Sequence, residues 1–243
     1  MRRSYGQYCG LARALDVVGD RWNLLIVRQL LVGAARYGQL LDGLPGLATN
    51  LLAERLRDLE TAGVIQRRLA DEGNAIVYAL TPWGAELHEP VDALIRWSTP
   101  LMVRGPGGDG FRAEWLIVAL RALLAGRTAR RSTMIAVDVD DELIDVRVTR
   151  TGIEVAAHDG VEVDATIRAD ASVILGLAAG VLTLDQIAGL ATIEGDESAI
   201  RTVFNHRSRS PLDGGGDGAS PTLAGGDLQL HPRDPTRSAR SSP

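Results

Sequence analysis

Between Pro45 and Arg68 the chain reads "PGLATNLLAERLRDLETAGVIQRR", and its apolar positions Leu52, Leu56 and Leu59 fall at helical spacing on one stripe. At about 100° per residue, Asn50, Ala53, Glu54 and Arg57 point away from that stripe, and the small Ala53 leaves room for close approach. Pro45-Gly46 marks a turn before this helix, and Gly63 stands where a left-handed C-terminal residue belongs, which bounds the helix at 48 to 60. Upstream, "RYGQLLDGL" (36 to 44) reads as a short helix with Leu40, Leu41 and Leu44 inward, joined to the next by a tight turn. Downstream, Val64 to Leu69 and Ala75 to Thr81 are strand-like runs around the turn-forming "ADEGN". A helix-turn-helix followed by a hairpin that carries Arg67 and Arg68 predicts a winged helix, its second helix entering a major groove and its hairpin lying along phosphates. A plain helical hairpin on a sheet would share the leucine stripe but would not need the turn signals and the basic hairpin together.

The pattern on either side completes two domains. "YCGLARALDVVG" predicts a first helix with Leu11, Leu15 and Val18 on one side, and "DRWNLLIVRQLL" a second, with Asp20 as N-cap and Trp22, Leu25, Ile26 and Leu30 apolar. Thr81-Pro82 opens a further helix, interrupted near Pro90, that supplies either a dimer contact or a lid on the domain's own core. Residues 104 to 111 read as a linker. Gly105, Gly107 and Gly110 spell G-x-G-x-x-G, but no strand precedes them, so a dinucleotide site is not expected. Beyond it comes a helix, 112 to 125, with Trp115, Leu116, Ala119, Leu120 and Leu123 on its apolar face. Then follow "MIAVDV" and three alternating strands whose inward residues are Ile144, Val146 and Val148, then Ile153, Val155 and Ala157, then Val163, Ala165 and Ile167. These predict an antiparallel sheet covered on one face by a helix at 170 to 182, with a short helix at 185 to 190, a fifth strand in "ATIEGD" and a closing helix in "ESAIRTVF". The expected class is a mostly α winged helix-turn-helix domain, 4–103, then an α+β domain, 112–205. From 206 to 243, 17 of 38 residues are Gly, Pro or Ser, and a disordered tail is expected.

Composition narrows the chemistry. The net charge of −5 is unevenly spread: residues 1 to 100 hold 11 Arg and 11 acids, residues 101 to 205 hold 10 Arg and 16 acids. The first half is neutral with its arginines gathered, which is what phosphate contact requires. All 26 basic residues are arginine, so a P-loop lysine and a Schiff-base lysine are excluded. His88, His158, His206 and His231 are scattered without metal-ligand spacing, and no G-x-S-x-G or H-E-x-x-H is present. No enzyme, cofactor or metal is therefore expected. With no apolar run near 18 residues, no leader and a single cysteine, the chain is read as cytoplasmic and not membrane-bound.

"YCGLARALDVVGDRWNLLIVRQLL", "RYGQLLDGLPGLATNLLAERLRDLETAGVI" and "YALTPWG" together resemble the HxlR-type winged helix-turn-helix transcriptional regulators across about residues 4 to 98. The resemblance implies a homodimer, a repressor on double-stranded operator DNA, with Thr49, Asn50, Arg55 and Arg57 on the reading helix, Arg67 and Arg68 on the wing, and Arg36 beside them. Residues 112 to 204, above all "VDATIRADASVILGLAAGVLTLDQIAGLATIEGD", are similar to the sterol-carrier-protein-like domain appended to some such regulators. That likeness implies an apolar small-molecule effector, for which Trp115, Ile144, Val146, Val155 and Ile167 are the pocket candidates; a packed core has the same alternation, and a lipid carrier tethered to a DNA-binding module is the other reading. The family's usual cysteine falls on Cys9, followed here by Gly10 rather than the frequent proline. At a helix start with Arg13 one turn on, its thiolate would be favoured and could sense oxidants or electrophiles. The preferred expectation is nonetheless a buried, inert thiol, since nothing in the sequence exposes it.

Overall fold

Helix α1 (Gly10–Val18) begins where Cys9 leaves extended backbone, and it buries Ala12 and Val18. Leu11 and Leu15, expected beside Val18, stay on the surface. After the turn at 19–22, Trp22 and not the expected Asp20 stands at the N-cap of α2 (Asn23–Val32), and Asn23 Nδ2 donates to Val17 O at 3.0 Å. Helix α3 (Tyr37–Asp42) is closed by Gln39, whose Oε1 accepts from Arg36 N at 2.7 Å. Gly46, at φ 85°, makes the turn into α4 (Thr49–Thr61), and Gly63, at φ 78°, ends it. The predicted stripe, Leu52, Leu56 and Leu59, is fully buried against Ile26, Leu30, Leu40 and Leu44. The computed structural model describes residues 4–70, 74–102 and 108–205. Part of the predicted linker, 104 to 107, and the predicted tail, 206 to 243, lie outside the described residues.

Strands β1 (Ile65–Leu69) and β2 (Ile76–Leu80) pair antiparallel from Ile65↔Leu80 to Leu69↔Ile76, and Ala35 bridges to Tyr78 on the far side of β2. Thr81 Oγ1 accepts from Gly84 N at 3.0 Å and so caps α5 (Pro82–Ala85). Helix α6 (His88–Met102) follows. Pro90 sits in its first turn, where a missing N–H leaves nothing unbonded, so the interruption falls just before the helix, at 86–87.

Helix α7 (Ala113–Leu123) leads to β3 (Thr133–Val139), β4 (Glu142–Val148), β5 (Ile153–Ala157) and β6 (Ala165–Ala169), then α8 (Ala171–Ala178), β7 (Ala191–Gly195) and α9 (Glu197–Phe204). The sheet is mixed, not antiparallel as the strand pattern suggested: its order is β5-β4-β3-β6-β7, and β6 runs parallel to β3. Residues 158–164 carry the chain from β5 at one edge to the opposite side of β3, and inside-outside alternation is the same for either strand direction. One face packs Ile135, Val137, Ile144, Val146 and Ile167 under α7, α8 and α9. On the other, Asp138 and Asp145 are buried beneath side chains: Arg168 Nε donates to Asp138 Oδ2 at 2.8 Å, and His158 Nδ1 lies 2.7 Å from Asp145 Oδ1.

Helix α7 serves both cores. Val118 is fully buried among the winged-helix residues, while Leu116, Ile117 and Leu120 belong to the core of the sheet. Polar contacts reinforce this: the Arg28 guanidinium on α2 stacks over Trp115 at 4.5 Å, and Arg121 Nη2 meets the buried Asp92 on α6 at 3.2 Å. Among the described residues no helix is long and apolar enough to cross a membrane.

Candidate nucleic-acid interface

With its leucines committed to the core, α4 presents Thr49, Asn50, Glu54 and Arg57 to solvent around the half-buried Ala53. The start of this surface is pinned by Tyr37, whose Oη donates to Thr49 O at 2.5 Å and so ties α4 to α3. Asn50 Oδ1 accepts from Leu51 N at 2.9 Å, and Arg57 Nε donates to Ala53 O at 3.2 Å. Arg36 is exposed at the start of α3.

The wing strand β1 leaves Gln66, Arg67, Arg68 and Leu69 all exposed. Arg67 Nε donates to Glu60 Oε1 at 2.8 Å, a hydrogen bond and charge that raise the Arg67 pKa above its ordinary value. Arg68 lies on the opposite side of the strand, with one guanidinium nitrogen 3.4 Å from Leu69 O.

Arg55 departs from the expectation. Its side chain is only 12% exposed and does not join the solvent-facing set. Nη1 pairs with Asp20 and lies 3.4 Å from Asp58, Nη2 lies 2.5 Å from Glu54, and Nε is buried without a hydrogen-bond partner. The Asp58 partner is legible as an i,i+3 pair. Asp20, 35 positions away, has no local signal that would have revealed it.

Cys9 is exposed, contrary to the preferred expectation of a buried thiol. Its thiol pKa is lowered, by hydrogen bonds from the backbone N–H groups of Ala12 and then Leu11 at the start of α1. Arg13, expected to help, lies 3.8 Å from Asp16 instead. The exposure of Cys9 was missed because it depends on what packs over the helix start, and here nothing described does.

Of the pocket candidates, Ile144, Val146 and Ile167 are fully buried in the packed core and Val155 is half-buried on the edge strand. Trp115 faces α2 beneath Arg28, whose pKa burial pushes down to about 10 against the opposing pull of Glu114. Two clefts, of about 360 and about 590 Å³, are lined by other residues, among them Arg112, Glu114 and Asp140 in the first and His88, Asp92 and Arg96 in the second.

Residues 17–104 match the family described as HxlR-like helix-turn-helix. Over 87 residues the chain is 41% identical to an uncharacterized HTH-type transcriptional regulator of Synechocystis sp., sll1512, covering 35% of this chain and 64% of that protein. It is 38% identical over 88 residues to the uncharacterized HTH-type transcriptional regulator YvaP of Bacillus subtilis, covering 36% and 82% respectively. To the HTH-type transcriptional regulator YodB of Bacillus subtilis it is 30% identical over 86 residues, covering 35% and 77%. The match thus spans a little under two thirds of the first relative's length, and the family match ends at residue 104.

Proposed function

The chain belongs to the HxlR-like helix-turn-helix family of transcriptional regulators, and from that premise we propose that it is a dimeric repressor which binds a two-fold symmetric operator in the cytoplasm through α4 and the β1–β2 wing. The observation that carries this reading is the solvent-facing side of α4, polar around a small Ala53, next to a wing strand with two exposed arginines. Thr49, Asn50 and Arg57 would meet base edges, and Arg36, Arg67 and Arg68 would meet phosphates. Dimerisation is supported by unpartnered apolar side chains on α1 and α6: Leu11, Leu15, Leu94, Trp97 and Leu101 are all exposed.

Selection from a random duplex pool tests the reading, with a dyad-symmetric site as the expected product. If four to six arginines per dimer touch phosphates, log K falls against log salt with a slope of about −4 to −5. Arg67→Ala with Arg68→Ala should weaken binding to every sequence alike and flatten that slope, whereas Asn50→Ala should change base preference. A chain that selects no sequence would rule the reading out.

Two inputs to this switch are proposed. One is an apolar small molecule in the sterol-carrier-like half, 112–205, which would require the core around Ile144, Val146 and Ile167 to open. Linkage limits its effect on operator affinity to the ratio of its affinities for the two states, typically about 5- to 150-fold. The other is oxidation or alkylation of Cys9, favoured by its exposure and its lowered thiol pKa. One operator titration separates them: a quinone should weaken binding in the wild type and not in Cys9→Ser, whereas a carried lipid should act on both. A lipid without effect on either chain would leave the C-terminal half as a carrier or a structural element.

A further inference from the structure

The family resemblance assigns both Arg55 and Arg57 of α4 to nucleic acid, but Arg55 is already held by carboxylates of the protein itself. Resting on the DNA-binding reading, we infer that Arg55 and Asp20 form a clamp that sets the rotation of the reading helix, making both positioning residues and neither a DNA contact.

The apolar packing of helix α4 is one stripe, Leu52, Leu56 and Leu59, and Tyr37 and Arg67 bond the helix near its two ends, at Thr49 and Glu60. Packing along one stripe resists translation better than rolling about the helix axis, because leucine contacts are not directional. A helix with its side chains has a radius of about 5–6 Å, so a roll of about 10° moves a side-chain tip by about 1 Å. That is enough to carry Asn50 or Arg57 out of hydrogen-bonding range of a base edge. Arg55 opposes such a roll from the flank. Its guanidinium reaches from α4 to Asp20 in the turn between α1 and α2, an anchor outside the α3–α4 motif, while Glu54 and Asp58 hold the same fork on its own helix. A planar guanidinium gripped by carboxylates on two sides fixes direction as well as distance.

Electrostatics agrees. Releasing Arg55 toward a phosphate would take the shared cation from Asp20 and Glu54 and leave both carboxylates facing the polyanion, which opposes the contact. Asp20 is 63% exposed, so its replacement opens no cavity in the core.

The sign of the Asp20→Ala effect decides the matter. Were charge all that mattered, deleting a carboxylate near DNA would tighten binding to every duplex. The clamp makes the opposite prediction for the selected operator: affinity falls about tenfold, within the range for networked charges, while affinity for unrelated duplex does not fall and the salt slope is retained. Arg55→Lys should lose a similar factor at unchanged slope, since lysine keeps the charge but not the fork, and Asp20→Glu should recover most of the wild-type affinity. For Asp20→Ala and Asp20→Glu a thermal midpoint within a few degrees of wild type accompanies these results, because Asp20 is 63% exposed. Operator binding by Asp20→Ala as tight as wild type or tighter overturns the clamp, as does a salt slope about one unit shallower in Arg55→Ala alone, the mark of a phosphate contact. If the wild-type chain selects no duplex, the DNA-binding reading itself has failed, a result distinct from either of these.

Discussion

Gly84→Ala is expected to destabilise the protein by about 3 kcal/mol, the upper end for a methyl forced into a packed site, and to abolish operator binding. A Cβ on Gly84 would stand 1.9 Å from Val64 O and 2.9 Å from Val64 C, and both atoms are backbone. No rotamer relieves that clash. Either α5 lifts away or Val64 moves, and Val64 leads directly into β1, which carries Arg67 and Arg68. The junction is also bonded: Val64 O accepts from Thr81 N at 3.0 Å, and Thr81 Oγ1 donates to Gly63 O at 2.7 Å. The "YALTPWG" stretch is thus a hinge plate for the wing, with threonine as cap, proline at the first helical position and glycine at the point of closest approach. A thermal melt checks the prediction, with a fall of about 10 °C expected for a chain of this size. A midpoint within 2 °C or so of wild type would mean that α5 and Val64 are not in close contact. Gly38→Ala is the matched control, since a Cβ there meets nothing within 4 Å in helix α3, and it should raise stability by a few tenths to about 1 kcal/mol.

Val118→Asp is expected to cost about 4 kcal/mol, the scale of an uncompensated charge in a core, and to release the winged helix from the C-terminal half. Val118 is fully buried on α7 and packs with the winged-helix core, although its neighbours Leu116, Ile117 and Leu120 pack under the sheet. A carboxylate at that position leaves the sheet side of α7 intact while expelling the other side from α2 and α6. The wild type should therefore melt in one transition and the variant in two, with the lower one belonging to residues below 102. Hydrogen exchange localises the effect: α2 amides should lose protection while those of β3 and β4 keep theirs. Unchanged protection in α2 would show that α7 is not a shared wall.

Those two sites mark the boundary between what is local and what is not. The sequence by itself determined the helix at 49–61, its turn and its wing, because each depends on contacts within a few residues: leucines at helical spacing, Gly46 and Gly63 in left-handed turns, and two strand-like runs around a turn, with Pro82 after its cap. The positions of the arginines were equally plain. Which of them faces outward was not, because the partner that withdraws Arg55 from the surface lies in a turn remote in sequence, and attraction between charges depends only on their distance in space. The same limit applies to the sheet. Alternation placed Ile144, Val146 and Ile167 inward, but the parallel pairing of β6 with β3 follows from a crossover whose route leaves no periodic trace. The sequence favoured a buried, inert Cys9, and only the packing around the start of α1 decided that it is exposed. Tertiary structure also decided the division of α7 between two cores, for a helix apolar on a broad face declares that it will be covered and leaves open by what.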